Sequence, residues 1–440
     1  MNPMRSIKHR TAASLLLATL VLAACGGENP DALLASAKEY MAKNDNKAAV
    51  IQIKNALQSD PNRAEARYLL GKALLESGDA TAATLELRKA LDLKHPAEEV
   101  VPLLVRAMSQ TQHFKEVIAE FAKTELGTPE STAELKTSIA IAHAAQGNEE
   151  AANAALAEAL KAKPDSAPAL LVQARIQAAK RDFGGALTIV DGVIAKNASN
   201  HEAWKFKGDL LLAERQIDKA HLQAAQREPE RALEAYRKAV EVRSDFVGAH
   251  VAIVSTLLQQ GKLDEAVQAL AGLKKLAPNN SQATYLEAQV AYQKKDYKAV
   301  DELLQLVLKA APNNPSALQL AGAAAFQQKS LLQAETYLAK ALAVAPDLPL
   351  ARSLLITTYL RAGQPAKALS TLHPVLDRID QDSNMLALAG EVYIQNGDAQ
   401  KAEEYFAKSA KLDPKDAKKR TSLAMAQLVK GQEGAYGELE

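Results

Sequence analysis

Aromatic side chains are scarce in these 440 residues, 4% in all with a single Trp, and runs of β-branched residues are nearly absent. Sheets draw on both kinds of side chain, so their scarcity argues against any β architecture. An excess of one charge is also missing, since 53 basic side chains stand against 52 acidic ones. Such a balance leaves no electrostatic footprint for nucleic acid or for an anionic membrane surface. The only cysteine is Cys25, which has no second thiol to pair with. Eight histidines are dispersed: His9, His95, His113, His143, His201, His221, His250 and His373. None has a metal-ligand spacing such as HExxH, so no metal site is expected. Neither GxSxG nor a phosphate-cradling GxxxxGK occurs, and the carboxylate pairs Glu149-Glu150 and Glu403-Glu404 read as solvated helix faces. The expectation is a binding protein, with no catalytic residues and no cofactor.

What is present is alanine and leucine in abundance, with 48% hydrophobic and 24% charged residues, a mixture that favours helices throughout. The chain is read as all-α. Its first ten residues carry Arg5, Lys8 and Arg10, and Thr11 to Ala24 are apolar or small. That is the layout of a secretory signal peptide over residues 1–24, too short to span a bilayer comfortably.

The apolar stretch ends in Leu22-Ala23-Ala24-Cys25, which resembles the lipobox of bacterial lipoproteins. The resemblance implies that Cys25 is acylated and becomes the first residue of the mature chain, with residues 25–29 as a short tether. A plain alanine-rich cleavage site beside a chance cysteine is the alternative. A lone thiol in an oxidising compartment would be a liability, whereas a thioether-linked lipid removes it. At about 0.8 kcal/mol per buried methylene, one acyl chain holds only marginally and several hold firmly; the lipoprotein resemblance implies three. Gly26 stands where an aspartate would resemble an inner-membrane retention signal, so the expected location is the outer membrane, facing the periplasm. Losing the leader removes Arg5, Lys8 and Arg10 and leaves a mature chain close to neutral.

Prolines provide a ruler for the rest. Pro278, Pro312 and Pro346 lie 34 apart, and Pro414 another 68 on. Pro61 to Pro164 is three periods plus one, and Pro164 to Pro278 is three periods plus twelve. Small residues keep the same step: Ala49 and Ala83, Ala152 and Ala186, Ala232 and Ala266, then Ala334, Ala368 and Ala402. A second register runs through Ala37, Gly71, Ala140, Ala174, Gly208, Ala288, Gly322, Gly390 and Ala424. Antiparallel helices approach closely only where side chains are small, so the two registers mark the crossing of a helical hairpin. Val254 and Ile356 are exceptions in this register, and Gly78, Gly147, Gly261, Gly363, Gly397 and Gly431 each sit seven residues after one of its positions, where a helix must stop and turn. Segments such as Asp60-Pro61-Asn62 and Pro312-Asn313-Asn314 end one helix and cap the next.

These positions resemble the tetratricopeptide repeat, with Trp204, Gly208, Ala232, Tyr236 and Ala239 in one copy and Gly390, Tyr393, Ala402, Phe406 and Pro414 in another. The resemblance implies a right-handed superhelical solenoid of antiparallel hairpins. About eleven repeats are expected, beginning near 30, 64, 99, 133, 167, 201, 247, 281, 315, 349 and 383 and ending at 416, the third of them weak. Twelve extra residues near 214–230 read either as a prolonged helix or as a short added one, with Pro229 suiting the first turn of a restarting helix. Residues 417–440 read as a partial final repeat or tail, consistent with a shortened version of a longer relative.

In tetratricopeptide proteins the outward face of each first helix lines the inner surface of the solenoid. Carried onto this chain, that face gives Tyr68, Lys72 and Glu76 early, then Gln259, Tyr285, Gln289, Tyr292, Gln293, Phe326, Gln327 and Gln395. Gln259, Gln293, Gln327 and Gln395 keep the repeat step. Such a ladder supplies amides that both donate and accept, with rings beside them to stack on a peptide or a sugar. The plain alternative is that glutamine is a helix-friendly solvated residue carried through duplicated copies.

The opening repeats, Ala32-Leu33-Leu34-Ala35-Ser36-Ala37-Lys38-Glu39-Tyr40 followed by Lys47 to Gln58 and by Ala64 to Leu74, resemble PrsT, the tetratricopeptide lipoprotein family of the PEP-CTERM/exosortase system, whose members are considerably longer. That resemblance implies a membrane-anchored periplasmic scaffold for exopolysaccharide production or export and for protein sorting to the cell surface, with proteins of that machine as partners. The competing expectation is a periplasmic carrier that binds polysaccharide or unfolded outer-membrane protein directly, or a pilus or outer-membrane assembly lipoprotein.

Overall fold

The computed structural model describes residues 29–217 and 222–429. Cys25, the leader before it and the tail around Gly431 lie outside the described residues, as do residues 218–221 of the insertion. The chain divides into two compact units, unit 1 ending at Glu214 and unit 2 beginning at Arg215.

In unit 1, α1 (Pro30–Ala42) pairs with α2 (Asn46–Ser59), α3 (Ala64–Glu76) with α4 (Ala80–Asp92), and α5 (Ala97–Gln110) with α6 (Phe114–Phe121). Two further pairs follow, α7 (Pro129–Ala145) with α8 (Glu149–Ala162) and α9 (Ala167–Ala179) with α10 (Phe183–Lys196). The extra twelve residues lengthen both α11 (His201–Ile217) and α12 (Leu222–Val242), and Pro229 sits inside α12 instead of opening a separate helix.

Unit 2 repeats the pattern with α13 (Val247–Gln259) and α14 (Leu263–Leu276), α15 (Ser281–Gln293) and α16 (Tyr297–Ala310), and α17 (Pro315–Gln327) and α18 (Leu331–Val344). It continues through α19 (Pro349–Arg361) and α20 (Pro365–Leu372), then α21 (Ser383–Gln395) and α22 (Ala399–Leu412), to α23 (Ala417–Val429). Pro374 has no N–H to donate, so α20 stops early and the chain continues as a 3-10 turn over His373–Arg378. The fold is an all-α array of tetratricopeptide-type hairpins.

Each of the ten hairpin turns within the units is built the same way. The second residue after the first helix adopts positive φ: Asn44, Gly78, Gln112, Gly147, Arg181, Gly261, Lys295, Lys329, Gly363 or Gly397. The next residue then donates its N–H to a carbonyl five positions back, as Asp79 does to Leu74 at 2.9 Å and Ser330 does to Ala325 at 2.9 Å. That bond satisfies a carbonyl that the helix end would leave without a donor. In six turns the residue after the left-handed position also caps the second helix with its side chain: Asp45, Asp79, Asn148, Asp182, Asp296 and Asp398. Half of the left-handed residues are not glycine, so the hydrogen-bond pattern imposes the conformation even where the side chain opposes it.

The core of a hairpin is a small residue facing a large one. A Cβ added at Gly71 would lie 2.5 Å from Leu87 Cγ, one at Gly322 2.5 Å from Leu338 Cγ, and one at Gly390 2.6 Å from the Phe406 ring. In each pair the partner comes sixteen residues later and is buried. The alanine register Ala49, Ala83, Ala186, Ala266, Ala334, Ala368 and Ala402 is fully inaccessible. Neighbouring hairpins add exposed ion pairs, Lys38 to Glu65 at 2.6 Å, Arg88 to Glu120 at 2.9 Å and Lys367 to Glu335 at 2.9 Å, each worth about 0–1 kcal/mol at such exposure. Their number does not decide stability; the apolar fit does.

Two helical glycines should therefore answer substitution with opposite signs. Gly322→Val forces a branched side chain into Leu338 and should cost about 2 kcal/mol. Gly272→Ala, with open space around the new Cβ, should gain about 0.5–1 kcal/mol from helix propensity and a less flexible unfolded chain. Urea unfolding of both variants checks this, and shifts of the same sign would contradict it.

Candidate functional site

Contacts between successive hairpins are asymmetric. In unit 2 the first helices touch one another directly, α13 with α15, α15 with α17, α17 with α19 and α19 with α21, and among the described residues no comparable contact joins the second helices. The first helices therefore form the closely spaced face. Along α15 the residues Gln282, Tyr285, Gln289 and Tyr292 recur at three and four positions, one stripe of a helix. The buried Ala283 and Val290 face away from it.

This stripe, with Val251, Ser255, Leu258 and Gln259 of α13 and Leu320 of α17, encloses a pocket of about 410 Å³. Inside it Gln289 Nε2 donates to the Tyr285 hydroxyl at 3.3 Å and Gln293 Nε2 to the Leu258 carbonyl at 3.4 Å. The Tyr292 ring meets Tyr297 edge-on with centroids 5.6 Å apart. Burial pushes the Tyr285 phenol above its ordinary pKa, and the Gln289 contact only partly offsets that. The phenol is therefore uncharged at neutral pH, and the pocket is a hydrogen-bonding surface without formal charge.

The seven groove residues expected from the sequence thus fall into four places. Tyr285, Gln289, Tyr292 and Gln293 come together, joined by Gln259. Phe326 is buried in α17, and the Arg361 guanidinium lies 4.3 Å over its ring, so its face is already covered by a cation–π contact. Gln327 is exposed at the end of α17, while Gln395 lines a second pocket, between α19 and α21. In unit 1, Tyr68 stacks on His95 at 4.4 Å and Glu76 pairs with Arg106, so both are engaged locally.

The second pocket has a volume of about 750 Å³. It occupies the same helix positions as the first, three periods on: Arg361 stands where α13 has Gln259, and Glu391 where α15 has Gln289. Leu350, Leu360, Met385 and Leu388 supply apolar walls. Glu391 is exposed to solvent at the edge of this pocket, and the partial loss of water beside those walls raises its pKa. The amide ladder passes over both charged residues, although the same ruler carried from Gln327 lands on Arg361 and carried from Gln289 lands on Glu391. Among the described residues no group of His, Cys, Asp and Glu is placed to hold a metal ion, and no helix is long and apolar enough to cross a membrane.

Family models described as tetratricopeptide repeat match residues 34–97 and 137–192, residues 223–290 and 325–392, and residues 383–416. No curated protein matches the chain. Similar solved structures include the APC/C hetero-tetramer Cut9–Hcn1, at 14% identity over 94% of this chain and 99% of that one with a TM-score of 0.43. Yeast Tom70 is similar at 15% identity over 93% and 90%, TM-score 0.42. Pseudomonas aeruginosa PilF is similar at 17% identity over 50% and 97%, TM-score 0.41.

The raised pKa of Glu391 has a measurable consequence. Between the ordinary value of 4.5 and the raised one, the folded chain holds more protons than the unfolded chain, so stability falls as pH rises through that window. Glu391→Gln should remove this fall. Thermal melts of both proteins from about pH 4 to about pH 7 should diverge, with the variant gaining relative to the wild type towards neutral pH; parallel curves would contradict the assignment.

Proposed function

Because the chain belongs to the tetratricopeptide-repeat family, whose models together match more than half of it, we propose that it is a membrane-anchored periplasmic scaffold that seats extended segments of partner proteins in the groove of unit 2. Tetratricopeptide proteins are protein–protein interaction scaffolds. The observation that carries the reading for this chain is the convergence of Gln259, Tyr285, Gln289, Tyr292 and Gln293 on one uncharged pocket. An extended segment brings backbone N–H and C=O groups that lose water on binding and need partners. Glutamine offers a donor and an acceptor at once, and tyrosine adds large contact area for little loss of side-chain freedom.

The anchor in this proposal is Cys25, supported by the Leu22-Ala23-Ala24-Cys25 sequence, and the outer-membrane destination is supported by Gly26. Exopolysaccharide production or export, together with surface sorting of PEP-CTERM proteins, is the setting supported by the likeness of the opening repeats to PrsT lipoproteins. Retention of purified exopolysaccharide on the protein, with no protein partner recovered, would turn the reading to a carrier.

The double variant Tyr285→Ala, Gln289→Ala tests the groove. Cross-linking in cells should recover at least one partner about tenfold less well than with the wild type, the size expected for losing an interface anchor of more than about 1.4 kcal/mol, while the variant keeps its helical circular dichroism at the working temperature. Recovery of every partner at wild-type levels would overturn it. Labelled palmitate should enter the wild type and not Cys25→Ala, which should leave the membrane fraction; identical fractionation of the two proteins would sink the anchor.

A further inference from the structure

The two pockets of unit 2 stand on equivalent helix positions and differ in charge. The α13–α17 pocket presents only uncharged side chains. The α19–α21 pocket presents Glu391, Arg361 and Asp382 among leucines and Met385. Two of those charges are occupied: Asp382 Oδ1 accepts from the backbone N–H groups of Asn384 and Met385 at the start of α21, and Arg361 lies over Phe326. Glu391 is different. It makes no hydrogen bond or ion pair with any described residue, and only the surrounding walls act on its carboxylate.

We propose that the α19–α21 pocket receives a lysine or arginine side chain of an extended polypeptide segment, its charged head on Glu391 and its aliphatic stem along Leu350, Met385 and Leu388, while the α13–α17 pocket receives an uncharged side chain of the same segment. The argument is charge complementarity within apolar walls. Lysine and arginine bury their methylene stems against apolar surface and place the charge at the end, which is what a carboxylate set among leucines accepts. A charge-assisted hydrogen bond to that carboxylate is stronger than a neutral one. Arg361, on the neighbouring helix, repels a misplaced cation and so favours one register over others. Acidic segments are disfavoured at Glu391, and nucleic acid is disfavoured for the same reason. This inference rests on the groove reading above and adds the chemistry of what the groove selects.

The experiment is selection of a random twelve-residue peptide display library on the full-length wild-type protein, followed by affinity measurements of the winners against E391Q, Q289E and Y285A. Glu391 makes no hydrogen bond or ion pair with any described residue and its carboxylate is only desolvated there, so E391Q should melt no lower than the wild type, and weaker binding by it is not a loss of fold. Wild-type winners should carry a basic residue at a fixed place and bind E391Q about tenfold more weakly. A second selection on Q289E should add a second basic position at a constant distance from the first. Winners that depend on Tyr285 but bind E391Q as tightly as the wild type would overturn this proposal and leave the groove reading standing. Winners indifferent to both Tyr285 and Glu391, or no enriched peptide at all, would overturn both.

Discussion

The array depends on one steric fit, in which a residue with no side chain, or only a methyl group, on the first helix of a hairpin receives a large apolar side chain from the second. Gly71 with Leu87, Gly322 with Leu338 and Gly390 with Phe406 are the tightest cases. The fit brings the two helices close enough to bury the alanine register completely, yet it covers only one side of the pair. The remaining apolar surface has to be covered by the next hairpin. Stacking within each unit, the direct contact of first helix with first helix, and the groove along them all follow from that requirement.

The fold class was legible because it is written redundantly. Few aromatics, few β-branched runs, the prolines at steps of 34 and two small-residue registers all point to the same hairpin, and agreement across levels is what makes a sequence specify a structure. The turns were half legible. Gly78 and Gly397 announce a left-handed residue, but Asn44, Gln112, Arg181, Lys295 and Lys329 adopt the same conformation without the residue that favours it. There the backbone hydrogen bond from the following residue decides, and a backbone bond leaves no mark in the identity of the side chain.

The site was legible to the same depth. A ruler finds which positions face the groove, so Tyr285, Gln289 and Gln293 could be named together. It cannot find what a neighbouring helix does to a position. Phe326 keeps the repeat step of Tyr292, but Arg361 from the next first helix covers its ring. Searching for likeness from repeat to repeat also hides the departures, and Arg361 and Glu391, where the amides give way to charge, are the residues that make the second pocket unlike the first.

Contacts in this molecule reach no further than the adjacent helix or the one beyond it, among the described residues and apart from isolated touches. A compact globule lacks that property, because there a change at one point of the core is felt across the whole of it. Here the scaffold positions and the groove positions of a hairpin are separate characters of the sequence, and each groove position can be rewritten while its neighbours stay as they were. Gln259, Gln293, Gln327, Arg361 and Gln395 then read as one letter kept four times and changed once, and a duplicated array of this kind acquires new partners by spelling, one hairpin at a time, without having to invent a new fold.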